Sequence, residues 1–319
     1  MLKVENLVKK YGEKFAVNDV SFEIGANEVV GFLGPNGAGK TTIMNIVTGF
    51  LSYTSGSCTV DVFEILENPT EAKKLIGYLP DQPPLYPEMT VKEYLNFVYE
   101  LKGCTLNRKK HIMEVCEVTK IVDMRDRLIK NLSKGSCQRV GIAQALIGNP
   151  KIIILDEPTV GLDPKQIIEI RNLIRSLGRD HTVILSTHVL SEVQAVCDRI
   201  IIMNKGKIAA DERTDRLTEL MSGTRRLQVK IVGNRKTVLD SINALECVSY
   251  VEAGRDINSE DGITYKIESK GGADIRREIF ELCAKNNTPI VGMETVTATL
   301  EDVFLNITKD SVRKKVKGK

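Results

Sequence analysis

Residues 34–42 read Gly34-Pro35-Asn36-Gly37-Ala38-Gly39-Lys40-Thr41-Thr42. This run satisfies G-x-x-x-x-G-K-[ST], a pattern that works only as the turn between a buried strand and a helix. It therefore commits the chain to an α/β fold. The flanks agree: Val29-Val30-Gly31-Phe32-Leu33 is a short apolar strand, and residues 42–47 read as a helix stopped by Gly49. Glycines let the backbone wrap a phosphate with its N–H groups pointing inward, and the helix N-terminus adds positive potential. In this motif Lys40 reaches the β- and γ-phosphates, and Thr41 ligates Mg2+.

A second segment narrows the kind of nucleotide protein. Lys151-Ile152-Ile153-Ile154-Leu155-Asp156-Glu157-Pro158 is an apolar run ending in two carboxylates. Such a run reads as a strand buried on both faces of a parallel sheet. Ligands of open α/β sheets sit at the carboxyl ends of the strands. Asp156 is then expected to project toward Mg2+ and the phosphates, with Glu157 placed one residue further to polarise a water.

Between these two lies Leu132-Ser133-Lys134-Gly135-Ser136-Cys137-Gln138-Arg139-Val140. Here the chain resembles the ATP-binding-cassette (ABC) ATPases, whose signature Leu-Ser-Gly-Gly-Gln precedes the acidic strand by about this distance. Further segments fit the resemblance. Tyr11 lies where the family stacks an aromatic ring on adenine. Gly77-Tyr78-Leu79-Pro80-Asp81-Gln82 falls at the glutamine loop, Gly161-Leu162-Asp163-Pro164 at the D-loop, and Ser186-Thr187-His188 at the switch histidine. The resemblance covers roughly residues 1–220. It implies a P-loop sheet with an inserted helical subdomain over about 80–150, ATP and Mg2+ as cofactors, and His188 as γ-phosphate sensor. It also implies that Ser133 and Gly135 touch the γ-phosphate of a nucleotide held by another subunit, in a homodimer or a heterodimer with a homologue. Transmembrane permease subunits are then separate chains, and the protein is cytoplasmic and peripheral on the inner face of the membrane. Two departures stand out. Lys134 and Ser136 replace a glycine and the glutamine of the signature, and Asp81 occupies the usual glutamine position with Gln82 one place late. Either residue can serve there.

Composition bounds the rest. The chain has 319 residues, 42% of them apolar, and a net charge of +3, which gives no argument for nucleic acid. The charge is uneven: residues 309–319 carry six Lys/Arg against Asp310, a basic tail over 311–319 that reads as a solvated end or, alternatively, as attracted to anionic lipid. No stretch approaches the ~20 apolar residues that span a bilayer. Seven cysteines form no C-x-x-C pair and fit free thiols in a reducing cytosol.

Residues 60–79 read as a strand, an irregular stretch and a second strand. Thr90-x-x-Glu93 forms a capping box ahead of a helix with Val91, Tyr94, Leu95, Val98 and Tyr99 on one face. Helices are also expected over 108–122 and 140–147. Beyond a Met221-Ser222-Gly223-Thr224 linker the pattern becomes strand 226–232, helix 236–245, strand 247–254, strand 263–269, helix 273–286, strand 290–297. That β-α-β-β-α-β order is ferredoxin-like and marks a small α+β domain over 221–310, ending in a helix at 299–305. It holds no catalytic constellation, and reads as a regulatory ligand site, a dimerisation surface or a packing appendage. The ending resembles that of drug-export, sodium-export and gliding-motility ABC subunits. The chain is thus expected to be the ATPase subunit of a membrane exporter. Alternatives are a soluble ABC ATPase of translation or DNA maintenance, or a non-hydrolysing ATP-binding regulator.

Overall fold

A computed structural model describes residues 1–216, 226–254 and 262–296. The expected linker at 221–224, the helix at 299–305 and the basic tail lie outside them. The chain divides into two compact units, Met1–Thr214 and Asp215–Lys319.

The first unit holds two sheets. In one, β1 (Leu2–Tyr11), β2 (Lys14–Ile24), β4 (Ser55–Val60) and β5 (Phe63–Glu64) run antiparallel in the order β2-β1-β4-β5. In the other, β3 (Val29–Leu33), β6 (Ile76–Leu79), β7 (Ile152–Asp156), β8 (Thr182–Thr187), β9 (Arg199–Asn204) and β10 (Lys207–Arg213) take the order β10-β9-β3-β8-β7-β6. All neighbours here are parallel except β10, which returns on β9 through Lys205-Gly206. Both turn residues have left-handed φ, 50° and 77°, as a two-residue hairpin with right-handed strand twist requires. Every residue of β3, β7 and β8 is buried, which explains why they read as unbroken apolar runs.

Helices α1 (Lys40–Val47), α2 (Pro69–Lys74), α3 (Val91–Leu101), α4 (Arg108–Val118), α5 (Lys134–Leu146), α6 (Pro164–Leu177) and α7 (Leu190–Val196) complete the unit. Four depart from expectation. Helix α1 starts two places early, at Lys40. The stretch expected to be irregular contains α2, with Asn68 at its N-cap, Pro69 in the first turn, and Glu71 and Lys73/Lys74 at the ends the helix dipole favours. Helix α4 stops at Val118, not 122. Lys120 turns left-handed at φ 55°, and Ile121 N–H and Lys120 N–H close on the carbonyls of Cys116 and Glu117, a Schellman ending.

Helix α5 is the largest correction, beginning at Lys134 rather than 140. Ser133 Oγ caps it by accepting the Ser136 N–H at 3.2 Å. At its other end the half-buried Lys102 ammonium donates to the carbonyls of Gln144, Ala145 and Ile147 at 3.1, 3.2 and 2.8 Å. That puts a cation where the last carbonyls are orphaned, although burial pushes its pKa down to about 8. The capping box of α3 forms as expected, with Glu93 N–H on Thr90 Oγ1 and Thr90 N–H on Glu93 Oε2. Its apolar face is buried.

In the second unit β11 (Arg226–Ile231), β12 (Val248–Ala253), β13 (Ile263–Ser269) and β14 (Ile290–Val296) form an antiparallel sheet in the order β12-β13-β11-β14. Helices Arg235–Asn243 and Arg276–Lys285 connect it in the β-α-β-β-α-β order. Val229, Ile231, Tyr265 and Ile267 pack with Val238, Ile242 and Ile279 in one core.

Candidate functional site

Strands β3, β6, β7 and β8 are parallel neighbours or near neighbours, so their carboxyl ends open on the same edge. The loops leaving them carry residues 34–39, Asp81, Asp156–Glu157 and His188. A cleft of about 490 Å3 lies there, lined by Tyr11, Lys14, Phe15, Ala16, residues 36–42, Asp81, Asp156 and Glu157.

The phosphate loop is shaped by close backbone approaches. A Cβ on Gly34 would sit 2.4 Å from the Met203 carbonyl oxygen, and one on Gly39 would sit 2.6 Å from that of Ala16. Gly37 and Gly39 also have φ of 78° and 107°, which only glycine adopts freely. Lys40 is 6% exposed. Its Nζ folds back on the loop, donating to the Gly34 carbonyl at 2.7 Å and less closely to Pro35 at 3.4 Å. Burial lowers its pKa, against the opposing pull of Glu157 and Asp156.

Asp156 is 3% exposed, and its Oδ1 has no hydrogen-bond partner among the described residues. Burial raises its pKa, opposed by the Ser186 hydroxyl, helped by the charges of Glu157 and Asp81, and opposed in turn by Lys40. A buried, unpartnered carboxylate oxygen is costly unless a cation meets it. Among the described residues no three His, Cys, Asp or Glu side chains cluster as a metal cage. The donor set of Asp156 and Thr41 fits a hard cation that draws its other ligands from phosphates and water.

Glu157 has left-handed φ, 50°. Its N–H donates to the Ser186 carbonyl at 2.8 Å, Oε1 lies 2.9 Å from His188 Nδ1, and Oε2 lies 3.4 Å from Thr187 Oγ1. The cleft thus unites a phosphate cradle, an ammonium, a cation ligand, and a carboxylate paired with an imidazole. That set can hold a nucleotide triphosphate and position a water against it.

Other expected residues fall elsewhere. Asp81 lines the cleft; Gln82 does not. Ser133 and Asp163 are N-caps of α5 and α6, Asp163 Oδ1 accepting the Gln166 N–H at 2.9 Å. Gly135 faces the end of the flexible Gln166 side chain, which a Cβ would have to displace, and Lys134 Nζ reaches over Gly161. These residues form a second surface outside the lining of the cleft. Phe15 and Lys14 line the cleft beside Tyr11 and were not anticipated. The strand pairings Tyr11↔Lys14 and Lys10↔Phe15 bring them there, a register visible only once the Gly12 turn is fixed.

Comparison with known proteins identifies the family. The family model described as ABC transporter matches residues 17–160. The uncharacterised ABC transporter ATP-binding protein YxlF of Bacillus subtilis is 34% identical over 96% of this chain and 99% of its own length. The linearmycin resistance ATP-binding protein LnrL of the same organism is 32% identical over 98% of this chain and 100% of its own. The dimeric structure of the bacterial ABC transporter cassette MJ0796 superposes with a TM-score of 0.61 at 30% identity, covering 67% of this chain and 99% of that one. The same cassette is known in a post-hydrolysis state bound to ADP and Pi.

Proposed function

This chain belongs to the ABC transporter ATP-binding proteins, and from that premise we propose that it binds ATP with Mg2+ in the cleft and hydrolyses it to drive export through separate membrane-spanning subunits. Tyr11, with Phe15 beside it, receives the adenine. Residues 34–42 cradle the phosphates, with Lys40 exchanging its loop carbonyls for phosphate oxygens. Thr41 and Asp156 hold Mg2+, which when bound neutralises charge developing on the phosphates. Glu157 orients and deprotonates the attacking water, and His188 holds the Glu157 carboxylate while sensing the γ-phosphate. Phosphoryl transfer needs mainly positioning and charge stabilisation, and these residues supply both. Asp81 takes the glutamine-loop position.

The observation that carries this reading is the buried, unpartnered Asp156 Oδ1 in the same cleft as Lys40 and the Glu157–His188 pair. Ser133, Gly135 and Asp163 lie outside that cleft's lining. We assign them to a nucleotide held by a second cassette, either another copy or a homologue. Among the described residues no helix is long and apolar enough to cross a membrane. On the family membership, membrane-spanning partners are assigned to other chains, with this subunit at the cytoplasmic face. Similarity to a linearmycin resistance protein over nearly the whole chain supports export as the direction. A role with nucleic acid is not favoured. The unit that begins at Asp215 is assigned no part in hydrolysis.

Replacing Glu157 by Gln tests the reading. The amide keeps shape and hydrogen bonding but removes the base, so ATP binds normally while turnover falls by about 10^2–10^4. Wild-type turnover in Glu157→Gln would overturn it.

A further inference from the structure

Glu192 is a carboxylate at 4% exposure in the first turn of α7. Among the described residues no lysine or arginine pairs with it. Its partners are two hydroxyls. Thr159 Oγ1 donates to Oε1, and Thr187 Oγ1 donates to Oε2 at 2.9 Å. Thr159 lies two residues past Glu157, and Thr187 immediately precedes His188. One buried carboxylate therefore ties together, by its two oxygens, the hydroxyls of the threonines that neighbour Glu157 and His188 in the chain.

The Thr187 hydroxyl sharpens the point. It accepts the Val189 N–H at 3.1 Å and has a single proton to give. Two carboxylates compete for that proton: Glu192 at 2.9 Å and Glu157 at 3.4 Å. The shorter contact wins, which leaves Glu157 Oε2 free to accept a hydrogen bond from water. Glu157 also sits at a left-handed φ, a conformation disfavoured for a side-chain-bearing residue that persists only where neighbours hold it. A buried charge satisfied only by hydroxyls is an expensive way to pack a helix, but a stiff one.

We infer that Glu192 is a positioning residue for ATP hydrolysis. Through Thr159 and Thr187 it fixes the geometry of Glu157 relative to His188 and keeps one Glu157 oxygen available to water. The inference rests on the reading that Glu157 and His188 carry hydrolysis. It adds that a residue remote from nucleotide sets their geometry.

The test compares Glu192→Gln, Thr159→Val and Glu157→Gln in the full-length protein. Gln puts an NH2 in place of one carboxylate oxygen, so one of the two hydroxyls loses its acceptor. Thr159→Val removes one of the two grips without touching Glu157, and stands in if Glu192→Gln folds poorly. The expected result is a fall in kcat on the order of ten- to a hundredfold for Glu192→Gln, a smaller fall for Thr159→Val, and KM for ATP within about twofold of wild type. The double variant should be no worse than Glu192→Gln alone, because both changes break one linkage. Imidazole NMR adds a readout that general loosening would not give. Of the chain's three histidines, His188 should shift in Glu192→Gln while His111 and His181 stay put. Unchanged kcat, a loss expressed only in KM, or shifts at all three histidines would each overturn the inference. If Glu157→Gln itself turns over normally, the underlying reading fails instead.

Discussion

The nucleotide cleft and the C-terminal unit obey opposite rules. In the cleft Lys40 is buried, Asp156 Oδ1 is buried with no hydrogen-bond partner among the described residues, and Glu157 takes a backbone conformation its side chain disfavours. In the C-terminal unit, alternation along β13 puts Ile263, Tyr265 and Ile267 inside and Lys266 outside. The one orphaned side-chain atom among its described residues is a neutral hydroxyl, Ser269 Oγ. In the C-terminal unit most local preferences are met, whereas several are violated together in the cleft, the pattern expected where a ligand is to be bound.

The contrast can be broken by mutation. The largest effect belongs to Lys40→Ala, which removes the ammonium we assign to the phosphates. ATPase activity should drop by at least about 10^2–10^3, as when one charge-stabilising donor is deleted from an active site, with nucleotide affinity strongly weakened. Undiminished turnover would remove the cleft's claim to the chemistry. Next comes Tyr265→Ala, which empties a fully buried position of the C-terminal core. It should cost roughly 3–5 kcal/mol, seen as a lower denaturant midpoint for that unit, while ATP affinity of the still-folded first unit is unchanged. A parallel loss of ATP affinity would show that the two regions are not chemically separate. The smallest effect separates Asp81→Ala from Gln82→Ala. Because Asp81 lines the cleft and Gln82 does not, permease-stimulated ATPase should fall a few-fold more in the Asp81 variant. The reverse order would move the loop by one residue.

How much of this was legible depended on which force shaped each segment. Strand β13 and the capped α3 could be read directly, since alternation and a Thr/Glu box are local signals. The phosphate loop was legible because its glycines answer to backbone sterics written in the sequence. Helix α5 was misread because Lys134-Gly135-Ser136-Cys137 has no apolar periodicity; the Ser133 cap was the one usable cue. Helix α2 hid behind Asn-Pro, which marks a turn as readily as a helix start. Phe15 and Glu192 were out of reach for a different reason. Phe15 reaches the cleft through strand register, and Glu192 is defined by Thr159 and Thr187, residues distant in sequence from it or from each other.

Calorimetric titration of MgATP into a chain ending at Ser222, beside the full-length protein, tests the separation most directly. All residues lining the cleft lie before that point, and the first unit has its own hydrophobic core. The account predicts one nucleotide per chain and a Kd within about threefold of full length, a difference under about 0.7 kcal/mol. A folded, truncated chain that no longer binds MgATP would contradict it, because the C-terminal unit would then be part of the site.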